Sequence, residues 1–159
     1  MPKPVKPIPD NFHSLTPNLI CQNVAQAIDF YKKAFGATER VRMPGPDGKI
    51  IHAELKIGDS ILFLGEPMTK TVAAPEPGAA NLMSIYLYVE DVDTVFNRAV
   101  SAGARVDMPL QDMFWGDRSG RITDPYGHQW GLATHKEDVA PEDMKRRQEA
   151  FFAKAAGQN

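Results

Sequence analysis

Two stretches of the chain carry the same order of apolar and polar positions. In the first, Leu15 to Cys21 reads as a strand. Asn23 follows, and then Val24, Ala27, Ile28 and Tyr31 fall at i, i+3, i+4 and i+7. That spacing puts four apolar side chains on one helix face. In the second, Leu82 to Val89 is the strand, Asp91 the polar residue, and Val92, Val95, Phe96 and Ala99 the helix face. Asn23 and Asp91 are residues whose side-chain oxygens accept from the free N–H groups at a helix start, and Gln26 completes a capping arrangement in the first copy. The pairs Gly36-Ala37 and Gly103-Ala104 follow the two helices, where glycine permits the left-handed backbone that ends a helix. A strand and a capped helix recurring 68 positions apart (91 − 23) make an internal repeat.

Alternation takes over after the first helix. Met43 to Gly48 is a turn rich in proline and glycine. Ile51 to Ile57 and Ser60 to Leu64 then form a hairpin across Gly58-Asp59. Ile51, Ala53, Leu55 and Ile57, with Leu62 and Leu64, share one face, while His52, Glu54 and Lys56 lie on the other with Ile61 and Phe63. In the strand from 82 to 89, Met83, Ile85, Leu87 and Val89 oppose Ser84, Tyr86 and Tyr88. The aliphatic faces are expected to pack under the helices. The polar and aromatic faces are then expected to line a cavity. The pattern predicts an α+β fold: two βαβββ modules forming a cupped mixed sheet with helices on its outer face.

The predicted divisions are an extended arm over 1–12, a first module over 13–65, a linker rich in Pro, Ala and Gly over 66–81, a second module over 82–136 and a helical tail over 137–159. The arm has prolines at 2, 4, 7 and 9, each of which removes a backbone donor. In the tail, Pro141 precedes Glu142 and Asp143, and the bases Lys145, Arg146 and Arg147 come later, the charge order that suits a helix dipole. Phe151 and Phe152 predict that this helix packs on something, its own domain or a partner chain.

At 159 residues the chain is the size of one domain or of two joined half-domains. A net charge of −2 gives no expectation of nucleic-acid binding. No apolar run reaches the roughly 18 residues that span a bilayer, so no membrane partner is expected. The single cysteine, Cys21, excludes an internal disulfide and agrees with a cytoplasmic location. Cys21 falls on the aliphatic face and is expected to be a buried apolar residue rather than a nucleophile. A phosphate-cradling glycine loop, a Ser/His/Asp set and a CxxC pair are all missing.

The runs Ala27-Ile-Asp-Phe-Tyr-Lys-Lys-Ala-Phe-Gly-Ala37, His52-Ala-Glu-Leu55, Val89-Glu-Asp-Val-Asp93, Phe114-Trp-Gly-Asp-Arg118 and Asp124-Pro-Tyr-Gly-His-Gln-Trp130 together resemble the vicinal oxygen chelate superfamily. This is the glyoxalase, bleomycin-resistance and dioxygenase group, and the resemblance is greatest to its PhnB-like branch. It spans about residues 14 to 136. It implies two paired βαβββ modules, a cupped sheet, and in many members a divalent metal and a homodimer. In metal-dependent members, two ligands come from the first strand and two from the last strand of the modules. Carried over to this chain, those positions are Thr16, Phe63, Ser84 and Gly131. Divalent ions of this kind want imidazole, carboxylate or thiolate, and a phenyl ring and a glycine supply none. No inherited metal site and no cofactor are therefore expected. A relocated metal would draw on His52 and Glu54, with Asp117 or His128 as candidates for a third ligand.

Two functional readings follow. In the first, the protein binds a small, partly aromatic or polar organic molecule without a metal. Phe63, Tyr86 and Trp115 supply apolar and aromatic wall, and His52, Glu54 and Arg118 supply orientation. In the second, it is a lyase or isomerase that uses a relocated divalent metal, or His52 and Glu54 as general acid and base. Each residue also has a plainer role. His52 and Glu54 would make a local hydrogen bond on a solvated face, Trp115 would close the core, and Asp117 and Arg118 would tie a loop. Tyr88 is expected beside Tyr86 on the cavity wall, Trp130 in the core and His128 in a structural turn. His13 and His135 carry no signal.

Overall fold

The structure, a computed structural model, describes residues 5–158. The first module runs β1 (Asn18–Ile20), α1 (Val24–Phe35), β2 (Thr38–Pro44), β3 (Ile50–Ile57) and β4 (Ser60–Gly65). The second runs β5 (Ser84–Tyr88), α2 (Val92–Ser101), β6 (Arg105–Asp112), β7 (Asp117–Thr123) and β8 (Gln129–His135), followed by α3 (Pro141–Ala156). Strand order is β1-β4-β3-β2 in one sheet and β5-β8-β7-β6 in the other. This is the expected pair of βαβββ units in an α+β fold. The single cupped sheet is realised as two four-stranded mixed sheets, each with its own hydrogen-bonded ladder.

Local chemistry starts and stops both helices. The Asn23 side chain accepts from the Gln26 N–H, and Asp91 accepts from the Thr94 N–H. α1 ends at Gly36, which sits at φ 66°, ψ 28°, a conformation that favours glycine. α2 ends at Ser101 with Ala102 as its cap, just before Gly103-Ala104.

The repeat extends to the register. Asn18 pairs with Phe63, and Tyr86 pairs with Gly131, each partner 68 positions further on (86 − 18 and 131 − 63). One rung along, Leu19 faces Leu64 and Leu87 faces Leu132. These leucines join both helices, Leu55, Leu62, Ile122 and Trp130 in one apolar core.

Four apolar residues depart from the alternation. Leu15 and Leu82 are fully or almost fully exposed, because the ladders begin only at Asn18 and Ser84. Met83 lies outside the ladder for the same reason and is 58% exposed. Ile51 turns outward and Ile50 inward, because a register shift between Met43 and Pro44 rotates the end of the β2–β3 ladder.

The modules are fastened by a buried carboxylate. Tyr31 Oη on α1 donates to Asp124 Oδ2 over 2.5 Å, and Trp130 Nε1 donates to the same oxygen over 2.9 Å. Asp124 Oδ1 accepts the backbone N–H groups of Tyr126 and His128, each at 2.9 Å. His128 Nε2 lies 2.9 Å from the Ile20 carbonyl oxygen. The Asp-Pro-Tyr-Gly-His run is therefore a structural joint, with every strong acceptor direction of a charged group satisfied. Cys21 is buried beside it. Burial, with the Asp124 charge adding to it, pushes its thiol up to about 12. A thiol so held is not a nucleophile at neutral pH.

α3 buries no residue of its own. Arg147 forks onto Glu137 at 2.7 and 2.8 Å, and the Phe151 ring packs 5.4 Å from Phe114. The predicted apolar docking is thus made by Phe151, while Phe152 remains largely exposed.

Candidate functional site

Core packing leaves one face of each sheet uncovered by the helices. On the first, His52, Glu54 and Phe63 stand together. His52 Nε2 lies 3.3 Å from Glu54 Oε1, and the His52 ring meets Phe63 edge-on at 4.8 Å. Arg40 stands 3.8 Å from Glu54, and its guanidinium lies over the Phe12 ring at 5.4 Å. Phe12 in turn contacts Phe63 at 5.9 Å. The end of the arm is therefore folded onto this face, where sequence predicted an extended segment. The His52–Glu54 contact is long for a charge-assisted hydrogen bond, yet the two groups are close enough to pass a proton to a shared substrate.

On the second face the organising residue is Asp117, 97% shielded from solvent. Its Oδ2 accepts from Tyr86 Oη at 3.1 Å, Tyr88 Oη at 2.9 Å and Trp115 Nε1 at 3.1 Å. Its Oδ1 lies 2.8 Å from His135 Nδ1, and the other nitrogen of that ring is 2.8 Å from Asp138. Burial works to raise the Asp117 pKa, but the hydrogen bonds from His135, Tyr88, Trp115 and Tyr86 outweigh it and hold the carboxyl below its ordinary value. The bond to Asp117 pushes Tyr88 up to about 12, and burial raises Tyr86. Asp117, followed by Asp138, raises His135. One carboxylate thus fixes the polar tips of three aromatic side chains and leaves their ring surfaces as a wall.

Tyr86 also explains a glycine. A Cβ built on Gly131 would meet the Tyr86 ring at 2.6 Å. The ring therefore packs against β8 at that rung and remains partly exposed.

The sequence candidates sort into separate groups. His52, Glu54 and Phe63 converge on the first face, and Tyr86 and Trp115 on the second. No hydrogen bond or ring contact joins the two groups among the described residues. A seam cavity of about 230 Å³, lined among others by Leu15, Ile61, Leu62, Tyr86 and Trp130, lies between the sheets. Arg118 is on neither face. Ile122 and Gly120 of β7 point at the core, Gly120 against Phe96 of α2, and Arg118 shares their phase. Its guanidinium is held by Asp93 at 2.8 and 2.9 Å and by Asp112 at 3.3 Å, which raise its pKa further. Sequence took Asp117-Arg118 as a loop, whereas the pair opens β7 and so falls on opposite faces.

Two participants were not anticipated. His135 lies beyond the last recognised run. Arg121 lies on the open face of β7, opposite Gly131. Phasing β7 on Ile122 as a core residue would have pointed to it.

The positions where the family resemblance implies metal ligands do not form a donor set. Phe63 and Gly131 offer no ligand atom, and the space above Gly131 is filled by a tyrosine ring. Among the described residues no three His, Cys, Asp or Glu side chains are grouped as a metal would require.

Two βαβββ modules, each with a helix against one sheet face and a polar aromatic opposite face, define a paired-module α+β domain. A sequence model described as the Glyoxalase/Bleomycin resistance protein/Dioxygenase superfamily matches residues 12–132. The chain belongs to that superfamily. An uncharacterized protein of Mycobacterium bovis is 42% identical over 141 residues, covering 83% of this chain and 90% of that one. Among solved structures, TioX from Micromonospora sp. ML1 is similar with a TM-score of 0.63 and 29% identity, over 77% of this chain and 98% of its own. The PhnB protein from Bacillus cereus has a TM-score of 0.61 at 21% identity, over 77% and 99%, which is a likeness of fold. No helix among the described residues is long and apolar enough to cross a membrane.

Proposed function

We propose that this protein binds a small, partly aromatic organic molecule on its open sheet faces without a metal, and that it works as a homodimer. The observation that carries this reading is the Tyr86 ring packed over Gly131 while Asp117 holds Tyr86, Tyr88 and Trp115 by their polar tips. A ring surface fixed in this way loses little entropy when a flat ligand stacks on it. His52, Glu54 and Phe63 form the complementary group on the other face. The dimer is supported by what one chain leaves uncovered: Leu82, Met83, Tyr86 and Tyr88 are all more than two-fifths exposed along one edge. A second copy would cover that edge and close one face over another.

The proximity of His52 and Glu54 favours one alternative, a lyase or isomerase that moves a proton between them and a substrate. Two measurements separate the readings. Metal analysis of protein purified without chelator should find no stoichiometric transition metal. A thermal-shift screen of aromatic acids, amides and amines should give hits that weaken in both His52→Ala and Trp115→Ala. A stoichiometric metal, or hits unchanged in both variants, overturns the binding reading. A sedimentation mass of one 17.6 kDa chain overturns the dimer.

A further inference from the structure

We infer that Arg121 is the anion-recognising residue of the second face, and that the molecule bound there is a flat aromatic carboxylate. This rests on the proposed binding function and goes further by naming the ligand's charge and shape.

Ile122 sets the phase of β7. Ile122 is fully buried under the helices, so Asp117, Ser119 and Arg121 face the other way. Arg121 pairs across the ladder with Gly131, and Gly131 pairs with Tyr86. One row across the sheet therefore runs guanidinium side chain, bare glycine, tyrosine ring. Strands lie about 4.8 Å apart, so the backbones at Arg121 and Tyr86 are separated by about 10 Å, and the Tyr86 ring reaches over the intervening glycine toward the strand that carries the guanidinium. The glycine between them makes room for the Tyr86 ring, whose exposed part is the surface on which a flat ligand can stack.

Arg121 makes no ion pair and no side-chain hydrogen bond among the described residues. Its acidic neighbour is already engaged: Asp107 is held by Arg105 at 3.0 Å and by the Thr123 hydroxyl. Arg118, by contrast, is neutralised twice. A cavity of about 330 Å³ collects Arg121 with Ser84, Gln129, Asp107, Met108 and Trp130. The hydroxyl of Ser84 and the amide of Gln129 add neutral donors beside the guanidinium fork, a combination that suits a carboxylate. Tyr86, outside this cavity but on the same face of β5 as Ser84 and over Gly131, offers a ring for the aromatic body.

The test compares 2-naphthoate with 2-naphthamide, which has the same rings and no charge. Titrations of ¹⁵N-labelled protein follow the Gly131 amide and the Arg121 Nε–H. The wild type should bind naphthoate about tenfold tighter than naphthamide, the scale of one charge-assisted contact. Arg121→Gln should erase that preference, and Arg121→Lys should keep part of it. Arg118→Gln, which changes the net charge equally, should retain it in full. Equal affinity for both probes, or a preference that survives Arg121→Gln, overturns the assignment to Arg121 and leaves the binding face standing. If neither probe binds, both this inference and the binding reading on this face fail. Because Arg121 has no partner among the described residues, melting curves of Arg121→Gln should overlay the wild type. A collapsed melt would show a structural role and overturn the inference.

Discussion

Asn18 opposite Phe63 in the first module and Tyr86 opposite Gly131 in the second stand on the same rung of equivalent ladders, yet the bulky ring is on β4 in one and on β5 in the other. The next rung is leucine against leucine in both. The difference follows from what each face must satisfy. The leucine rungs are packed into one core, where a change of volume is felt at once. The open faces have no such jigsaw to keep, so one has become a His–Glu–Phe group and the other an aromatic wall tied to a buried acid. The turns diverge in the same way. Gly58-Asp59 closes the first hairpin in solvent, whereas Asp124 closes the second inside the core and reaches across to Tyr31.

The turn comparison predicts the largest effect. Asp124→Ala strands four donors, two of them buried side chains, and should lower unfolding free energy by about 3–5 kcal/mol. Asp59→Ala, in the exposed counterpart, should stay within about 0.5 kcal/mol. Urea denaturation of the two variants checks this, and equal losses would break the asymmetry between the modules.

Gly131→Ala should come next. The new methyl cannot coexist with the Tyr86 ring where it lies, and overpacking of this kind costs about 1–3 kcal/mol. Adding Tyr86→Ala should recover most of that loss, so that the double variant is more stable than the sum of the singles predicts. Strict additivity would mean that the ring does not rest on β8.

The smallest effect is the pH dependence that the Asp117–His135 pair adds in the second module. Asp117 has a lowered pKa, so its contribution is present above the unfolded value of about 3.9 and is lost as pH falls through its folded value. His135 has a raised pKa, so its contribution is full below 6.5 and is lost as pH rises through its folded value. The pair should therefore stabilise most between about pH 4 and 6.5. Melting temperatures of the wild type should decline slightly above pH 6.5, and His135→Gln should flatten that decline. A variant that keeps the decline would place its origin elsewhere.

Much of this was legible because it is local. The caps at Asn23 and Asp91, the stop at Gly36 and the burial of Cys21 and Trp130 follow from a few neighbouring residues and a period of 3.6 or 2. The candidates on the first face were legible for the same reason, since His52 and Glu54 are two apart on one regular strand. The second face was less so. Tyr86 and Tyr88 meet Asp117 across 31 and 29 residues. The bulges in β6 and the turn over 113–116 hid the phase of β7, so that Arg118 was expected on the open face where the ladder places Arg121.

The amino-acid order alone determined the repeated strand–helix units, their caps and the apolar faces that weld them, because periodicity and capping act between residues a few positions apart. The three-dimensional packing decided which charged groups are spent and which are free. Asp124 and Tyr31, 93 residues apart, become partners only when two modules share a core, and that same closure leaves Tyr86 and Arg121 facing outward. An ion pair or an open face belongs to the arrangement of segments, and no local pattern encodes it.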